Sequence, residues 1–284
     1  MVVTMFLLGL LYVVFVGALV ALGMRALSVL LIAGVLLLVQ YFLSDRIALY
    51  AMGGREVSPQ EAPELHGMID RLSALADMPK PRVAIADSDV PIAFATGRNQ
   101  RTAVVCVTTG ILRRLEPEEL EGVLAHELSH VAHRDVAVMT IASFLGIVAG
   151  LMTRVALYTG FGGRRDNQGG LPIGLIVMLV SILVYAVSFV LTRALSRYRE
   201  LAADRAGALL TQRPSALASA LVKISGDMAA IPTRDLREAE PFNAFYFAPA
   251  LAKGETLANL FATHPPLDRR LDQLARISRQ LGRG

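Results

Sequence analysis

Residues Ala125–Asp135 read AHELSHVAHRD and hold three of the chain's five histidines. At about 100° per residue, His130 stands about 40° round from His126 and one turn along, so a helix lets both imidazoles converge on one ion. Glu127, one residue on, lies beside such an ion without being directed at it, where a base for an attacking water is needed. That is the chemistry of the H-E-x-x-H pattern: two metal ligands and a base on one rigid element. His133 is seven residues from His126, about 10 Å along the axis, too far to share an ion when metal–nitrogen bonds are about 2 Å. A His130/His133 pair would leave Glu127 unused. Five-residue matches also arise by chance in helical proteins, so the rest of the chain must supply a third ligand.

The surroundings are strongly apolar. Hydrophobic residues make up 54% of the 284 and charged residues 18%, with a mean hydropathy of +0.51, against about 25% charge in ordinary soluble domains. Four blocks carry no charge: Met1–Met24, Ala26–Ser44, Val136–Thr153 and Leu171–Thr192. Each is close to the roughly 20 residues with which a helix crosses about 30 Å of hydrocarbon, so four membrane spans is the leading expectation. Met1–Met24 lacks the basic leader of a cleaved signal peptide and is longer than its apolar run. Val136–Thr153, the shortest, has a second reading as a buried core helix.

Four spans divide the chain into a membrane hairpin at 1–44, a polar segment at 45–135, a second hairpin at 136–192 and a second polar segment at 193–284. The two polar segments then share one side and hold 10 and 14 of the 28 Lys and Arg. Close to the membrane, Arg46, Arg55, Arg134, Arg193, Arg197 and Arg199 outweigh Arg25, Arg154, Arg164 and Arg165. This favours a cytoplasmic catalytic side in a multi-pass protein of the inner (plasma) membrane. The single Cys106 excludes an intrachain disulfide and fits a reducing compartment. A net charge of +4 without a basic, aromatic-interleaved stripe points to no nucleic-acid partner.

Within the polar segments, Pro63–Ala76 has the pattern of a capped amphipathic helix. Arg82–Ala86, Ile92–Thr96 and Ala103–Thr108 read as a small antiparallel sheet, with GRNQR at Gly97–Arg101 as a hairpin turn. Glu116-Pro117-Glu118-Glu119 opens the histidine helix, with proline in its first turn and acids at its positive end. No proline follows through Val136–Thr153, so this helix is expected to run straight into the third span. Leu175–Leu210 also lacks proline and contains only Gly207, so SRYRELAAD at Ser196–Asp204 is expected to prolong the fourth span. A last amphipathic helix covers Leu267–Leu281, where Arg269 and Arg270 read as solvated charges.

Candidates for the third ligand are few. His66 belongs to a separate helix and reads as a surface histidine. Glu200 and Asp204 stand four apart on one helical face; Glu200 can be the ligand and Asp204 the carboxylate that sets a histidine's tautomer. If both helices are continuous, His130 lies six residues before Val136 and Glu200 eight after Thr192, or about 9 and 12 Å from the membrane boundary. The two ends of one hairpin therefore deliver the ligands to nearly one height.

EGVLAHELSHVAHRD, SRYRELAAD, PIAFATGRNQ, VTTGILRRL and THPPLDRRLDQL together resemble the HtpX-like integral-membrane zinc metalloproteases, relatives of the CAAX prenyl proteases. The resemblance covers nearly the whole chain. It implies an α+β membrane protein with four transmembrane helices and a zincin-like domain of the glutamate-ligand type, carrying the small antiparallel sheet. It further implies one Zn2+ per chain on His126, His130 and Glu200, with Glu127 as base. The implied activity is endoproteolysis of misfolded or damaged membrane proteins, or of unfolded polypeptides, close to the bilayer as part of protein quality control and stress response. His264 of THPP is then a donor to the developing oxyanion, its other reading being a cap on the last helix. Substrate would pair with the strand holding Phe94, Ala95 and Thr96. Ile92 stands where the family pattern usually has Asn, so any side-chain contact from that Asn is lost.

Phe242, Phe245, Tyr246, Phe247 and Phe261 have two readings, a substrate pocket or ordinary apolar core. Asp135 either orients the histidine helix or is a plain solvated carboxylate. A CAAX-type peptidase of narrow range is the nearest alternative function, and a non-catalytic membrane scaffold is opposed by the intact Glu127. An intramembrane protease would need its metal helix inside an apolar block. A transporter would be expected to bury ionisable groups in its spans, and the four blocks contain none.

Overall fold

The computed structural model describes residues 2–21, 49–158, 173–230 and 265–282, together with positions 31, 34, 35, 38 and 42. The chain forms two compact units, one from Met1–Phe42 with Val138–Leu195 and the other from Leu43–Ala137 with Ser196–Gly284.

The second unit contains four strands, β1 (Gly54–Glu56), β2 (Arg82–Ala86), β3 (Ala93–Thr96) and β4 (Val104–Thr108), in the order β1-β2-β4-β3. β2 pairs in parallel with β4, while β1–β2 and β3–β4 are antiparallel. The expected antiparallel sheet is therefore mixed. The reason lies in β4, VVCVT, whose five residues are all buried. A strand with no polar alternation suits a slot covered on both faces; β3 is as fully buried, but as the outer arm of the hairpin it pairs on one side only, and β4 takes the interior position with its other edge on β2. The hairpin between them forms as its composition predicts. Gly97 has φ +134, and a Cβ there would lie 2.6 Å from the Ala103 Cα. Asn99 Oδ1 accepts from the N–H groups of Arg101 and Thr102 at 3.0 Å each. β1 was not foreseen, being too short for a period of two to register.

α4 (Pro117–Ala132) packs on β3 and β4 and the short α3 (Thr109–Arg114) on β4, while α2 (Pro63–Leu75) and α7 (Pro214–Ala230) pack on α4 and α8 (Leu267–Gln280) on α7, around a core that includes Ile69, Val105, Leu124, Leu128, Leu217 and Ile277. The Glu119 carboxylate accepts from the Glu116 N–H at 2.9 Å, Ser219 Oγ at 2.6 Å and Lys223 Nζ at 2.8 Å, which starts α4 and ties it to α7.

The histidine helix does not run on. α4 ends at Ala132 and α5 (Asp135–Tyr158) begins after a break in which Arg134 has φ +55. Gln100 Nε2 donates to the Ala132 carbonyl at 3.2 Å, taking the acceptor that a continuing helix would offer to Val136. The other long helix behaves as expected: α6 (Ile173–Thr211) is uninterrupted over 39 residues. Its Leu175–Thr211 stretch is, among the described residues, the one unbroken helix long and apolar enough to cross a membrane.

The first unit holds α1 (Val2–Ala21) and the apolar parts of α5 and α6, joined through Phe15, Leu19, Phe144, Leu145, Val148 and Val184. Most of the expected second span lies outside the described residues, as do Arg164 and Arg165.

Within the second unit, α6 lies on α4 at Gly207. A Cβ there would stand 2.9 Å from the His126 N and 3.1 Å from its Cα. Since these are backbone atoms, no side chain can yield. Gly207→Val is expected to destabilise the protein by about 1–3 kcal/mol in thermal unfolding despite valine's better helix propensity. Gly226→Ala on α7, where a Cβ meets nothing within 4 Å, should instead stabilise by about 0.5–1 kcal/mol.

Candidate metal centre

Gly207 stands three and seven residues beyond Asp204 and Glu200, so the contact that brings α6 onto α4 turns both carboxylates toward the histidines. His126 Nε2 and His130 Nε2 are 3.1 Å apart. Glu200 Oε2 is 3.7 Å from the first and Oε1 is 3.4 Å from the second. One ligand atom from each of the three residues lies within 4.8 Å of the others, an arrangement that could hold a metal ion. His126 and Glu200 are buried and His130 nearly so.

The donor chemistry fits a cation. His126 Nδ1 lies 2.9 Å from Asp204 Oδ1, and His130 Nδ1 lies 2.6 Å from Asp135 Oδ2. A neutral imidazole that gives its Nδ1 proton to a carboxylate keeps a lone pair on Nε2. Both Nε2 atoms and the Glu200 carboxylate then face one small space, a donor set suited to a cation. Burial pulls the His126 ring down to about 4 against the opposing effect of Asp204, leaving it neutral as a ligand must be. Burial works against ionised Asp204, yet the neighbouring Arg270 guanidinium holds its carboxyl down at about 2.

Glu127 is buried beside this cluster, and its Oε2 accepts the Ala95 N–H at 3.0 Å. Burial raises its carboxyl to about 8 against the pull of His130. The bond to Ala95 also orients the sheet edge. N–H and C=O groups of successive residues in a strand point to opposite sides. With Ala95 directed at Glu127 and Ile92 O accepting from Thr108 N in β4, Ala93 and Ala95 direct their backbone groups away from β4. Phe94, Ala95 and Thr96 are all buried side chains, so this edge presents main chain.

Two residues depart from expectation. His66 is not a surface histidine: it is 7% exposed and its Nε2 lies 3.0 Å from the Val57 carbonyl. Arg270 is not a solvated charge: it is 1% exposed, and its Nε and Nη2 donate to the two oxygens of Asp204 at 2.7 and 2.6 Å. The signal was present, since Arg270 occupies a core position in the stripe Leu267, Arg270, Leu274, Ile277. Asp135, for which two readings stood, is buried, and its Oδ1 pairs with Arg199. His133 is exposed, with Nδ1 2.7 Å from the Ser129 carbonyl, apart from the cluster. His264 and the Phe242–Phe261 aromatics lie outside the described residues.

Comparison with known proteins bears on these features. A family model described as Peptidase family M48 matches residues 59–278. The chain is 65% identical over 281 residues to "Protease HtpX homolog 1" of Streptomyces coelicolor, covering 99% of this chain and 92% of that protein. It is 54% identical over 283 residues to "Protease HtpX homolog" of Moorella thermoacetica, with 99% and 94% coverage. Among solved structures it resembles S. mikatae Ste24p with a TM-score of 0.57 at 18% identity, over 94% of this chain and 62% of that longer one, a likeness of fold.

Glu200→Ala is expected to abolish stoichiometric divalent-metal uptake measured by elemental analysis, while His133→Ala leaves it unchanged. Arg270→Met strands the Asp204 carboxylate and should cost about 3–5 kcal/mol at neutral pH. A carboxylate with a pKa depressed on folding stabilises above its ordinary pKa, and the stabilisation is lost as the pH falls through the folded value. The gap in melting temperature between wild-type and Arg270→Met metal-free protein should therefore narrow between pH 3.8 and about 2.

Proposed function

The chain belongs to peptidase family M48 and is a metallopeptidase, and from that premise we propose a zinc-dependent endopeptidase of the membrane. It hydrolyses misfolded or damaged membrane proteins near the cytoplasmic surface. The observation that carries the proposal is the convergence of His126, His130 and Glu200 with Glu127 beside them. Tetrahedral zinc with bonds of about 2.0–2.1 Å separates its donors by about 3.3 Å; the two histidine nitrogens stand 3.1 Å apart, and each has its own Glu200 oxygen nearby, Oε1 at 3.4 Å from His130 and Oε2 at 3.7 Å from His126, spacings on the scale of such an ion. Three protein donors also leave a fourth position for water or substrate, as catalytic rather than structural zinc requires.

When bound, zinc supplies Lewis acidity, polarising the scissile carbonyl and acidifying the attacking water. The remaining steps belong to the chain's own side chains and backbone. Glu127 receives the proton of the attacking water and delivers it to the leaving amine. The Ala95 N–H holds the Glu127 carboxylate in place, and the remaining backbone groups of Ala93 and Ala95 that face away from β4 are the edge along which an extended substrate backbone would pair. Main-chain pairing reads little of the substrate's sequence, which suits unfolded segments of many proteins. His264 is proposed as the donor to the developing oxyanion.

The membrane setting draws on the four apolar blocks and on α6, which carries such a block directly into the Glu200 turn. Val3, Phe6, Val13, Ile141 and Leu183 are all more than half exposed, as lipid-facing side chains would be. The arginine distribution supports a cytoplasmic catalytic unit with four spans.

The test uses purified full-length chain with zinc and an unfolded protein substrate. Glu127→Gln should slow cleavage by at least about 100-fold, the lower end of what a general base contributes, with zinc content unchanged. Equal cleavage by both proteins would refute the mechanism.

A further inference from the structure

His130 is oriented by a residue that helical spacing alone would place out of reach. On an uninterrupted helix the fifth residue on lies about 140° round and 7.5 Å along, so Asp135 would face away from His130. The break between α4 and α5 changes this. Arg134 takes φ +55, a conformation that L residues seldom adopt, and Asp135 swings back until Oδ2 is 2.6 Å from His130 Nδ1. Its other oxygen, Oδ1, pairs with Arg199 from α6. Asp135 is 8% exposed and Arg199 6%, so both charges have left water, and Arg199 precedes Glu200 directly in the chain.

We propose that Asp135 and Arg199 form a positioning pair for the metal centre, in which Arg199 pins the Asp135 carboxylate and that carboxylate holds His130 with Nε2 turned toward the ion. The inference rests on the metal-centre reading above. It gives the helix break a purpose: a straight helix would supply both histidines but leave the second ring without a carboxylate. It also gives the site two parallel supports from different elements, Arg270–Asp204 behind His126 and Arg199–Asp135 behind His130. A carboxylate behind a ligating histidine fixes the ring and raises its basicity, and its loss typically lowers metal affinity 10–100-fold.

The rival explanation is that Asp135 merely neutralises buried Arg199. Two variants of the full-length protein in detergent separate these roles, with zinc affinity measured by competition against a chromogenic chelator and stability measured by thermal unfolding without metal. Asp135→Asn keeps the side-chain size but strands Arg199, so both affinity and melting temperature should fall. Asp135→Asn/Arg199→Met also removes the stranded cation. If Asp135 positions His130, the double variant recovers melting temperature while zinc affinity stays about 10–100-fold below wild type. Recovery of affinity together with stability would overturn the proposal, as would an Asp135→Asn protein with wild-type affinity. Should the single variant fail to fold, the double variant gives the same decision. A wild-type chain that takes up no zinc would refute the metal-centre reading itself, a result distinct from loss of the pair's effect in a zinc-binding protein.

Discussion

The contact between Gly207 of α6 and the His126 backbone of α4 is the constraint on which the site depends. Two helices that meet through side chains lie about 8–10 Å apart, and a glycine at the crossing removes the spacer on one side. Glu200 and Asp204 lie on the same face as Gly207, so the approach that brings the backbones together also brings the carboxylates to the imidazoles. Leu217 on α7 meets α4 in a similar way at Gly122, where a Cβ would lie 3.2 Å from Leu217 backbone atoms. α4 is thus gripped at backbone level by two neighbours, which holds its histidines and Glu127 with little freedom.

The second consequence is a dense set of buried charges. Glu127, Asp135, Glu200 and Asp204 are buried carboxylates, and Arg199 and Arg270 are buried guanidiniums. With neutral imidazoles and all four acids ionised, the set carries an excess of two negative charges, which one divalent cation would balance. Burial, helped by the neighbouring Glu200 charge, holds a proton on Glu127 to unusually high pH; an adjacent dication favours its ionised, basic form. The two arginines stand behind the acids that support the histidines, Arg199 on Asp135 and Arg270 on Asp204, and Arg270 Nη1 also lies 3.9 Å from Glu200 Oε2. Isolated buried charge of this kind costs several kcal/mol per ion, so each member depends on the others being in place.

Much of this was legible in the chain. HELSH named two ligand candidates and a base, and the spacing of Glu200 and Asp204 placed two acids on one face, because helical periodicity is local and side chains one turn apart must share a face. The unbroken α6 followed from the absence of proline, and the hairpin at Gly97–Arg101 from its turn residues. Other features were hidden because competing contacts decided them. Nothing local to VAHRDVAV ends a helix; the break follows from Gln100 taking the Ala132 carbonyl and from the paired claims of His130 and Arg199 on Asp135. The parallel β2–β4 pairing depends on which strand fills the interior slot, which alternation within short runs does not encode. His66 and Arg270 looked solvated because their residue types usually are, and only their partners, Val57 and Asp204, make burial affordable.

By itself, then, the sequence determined the chemistry on offer: two imidazoles and a glutamate in one helical turn, two acids on a second helix, and apolar blocks between them. It did so because these are matters of residue type and helical period. The tertiary structure decided which of these groups meet, in what protonation state, and which arginines stand behind them. Those outcomes depend on a backbone approach at one glycine and on buried charges that find their partners 66 residues apart, as Asp204 and Arg270 do, and local spacing holds no record of such distances.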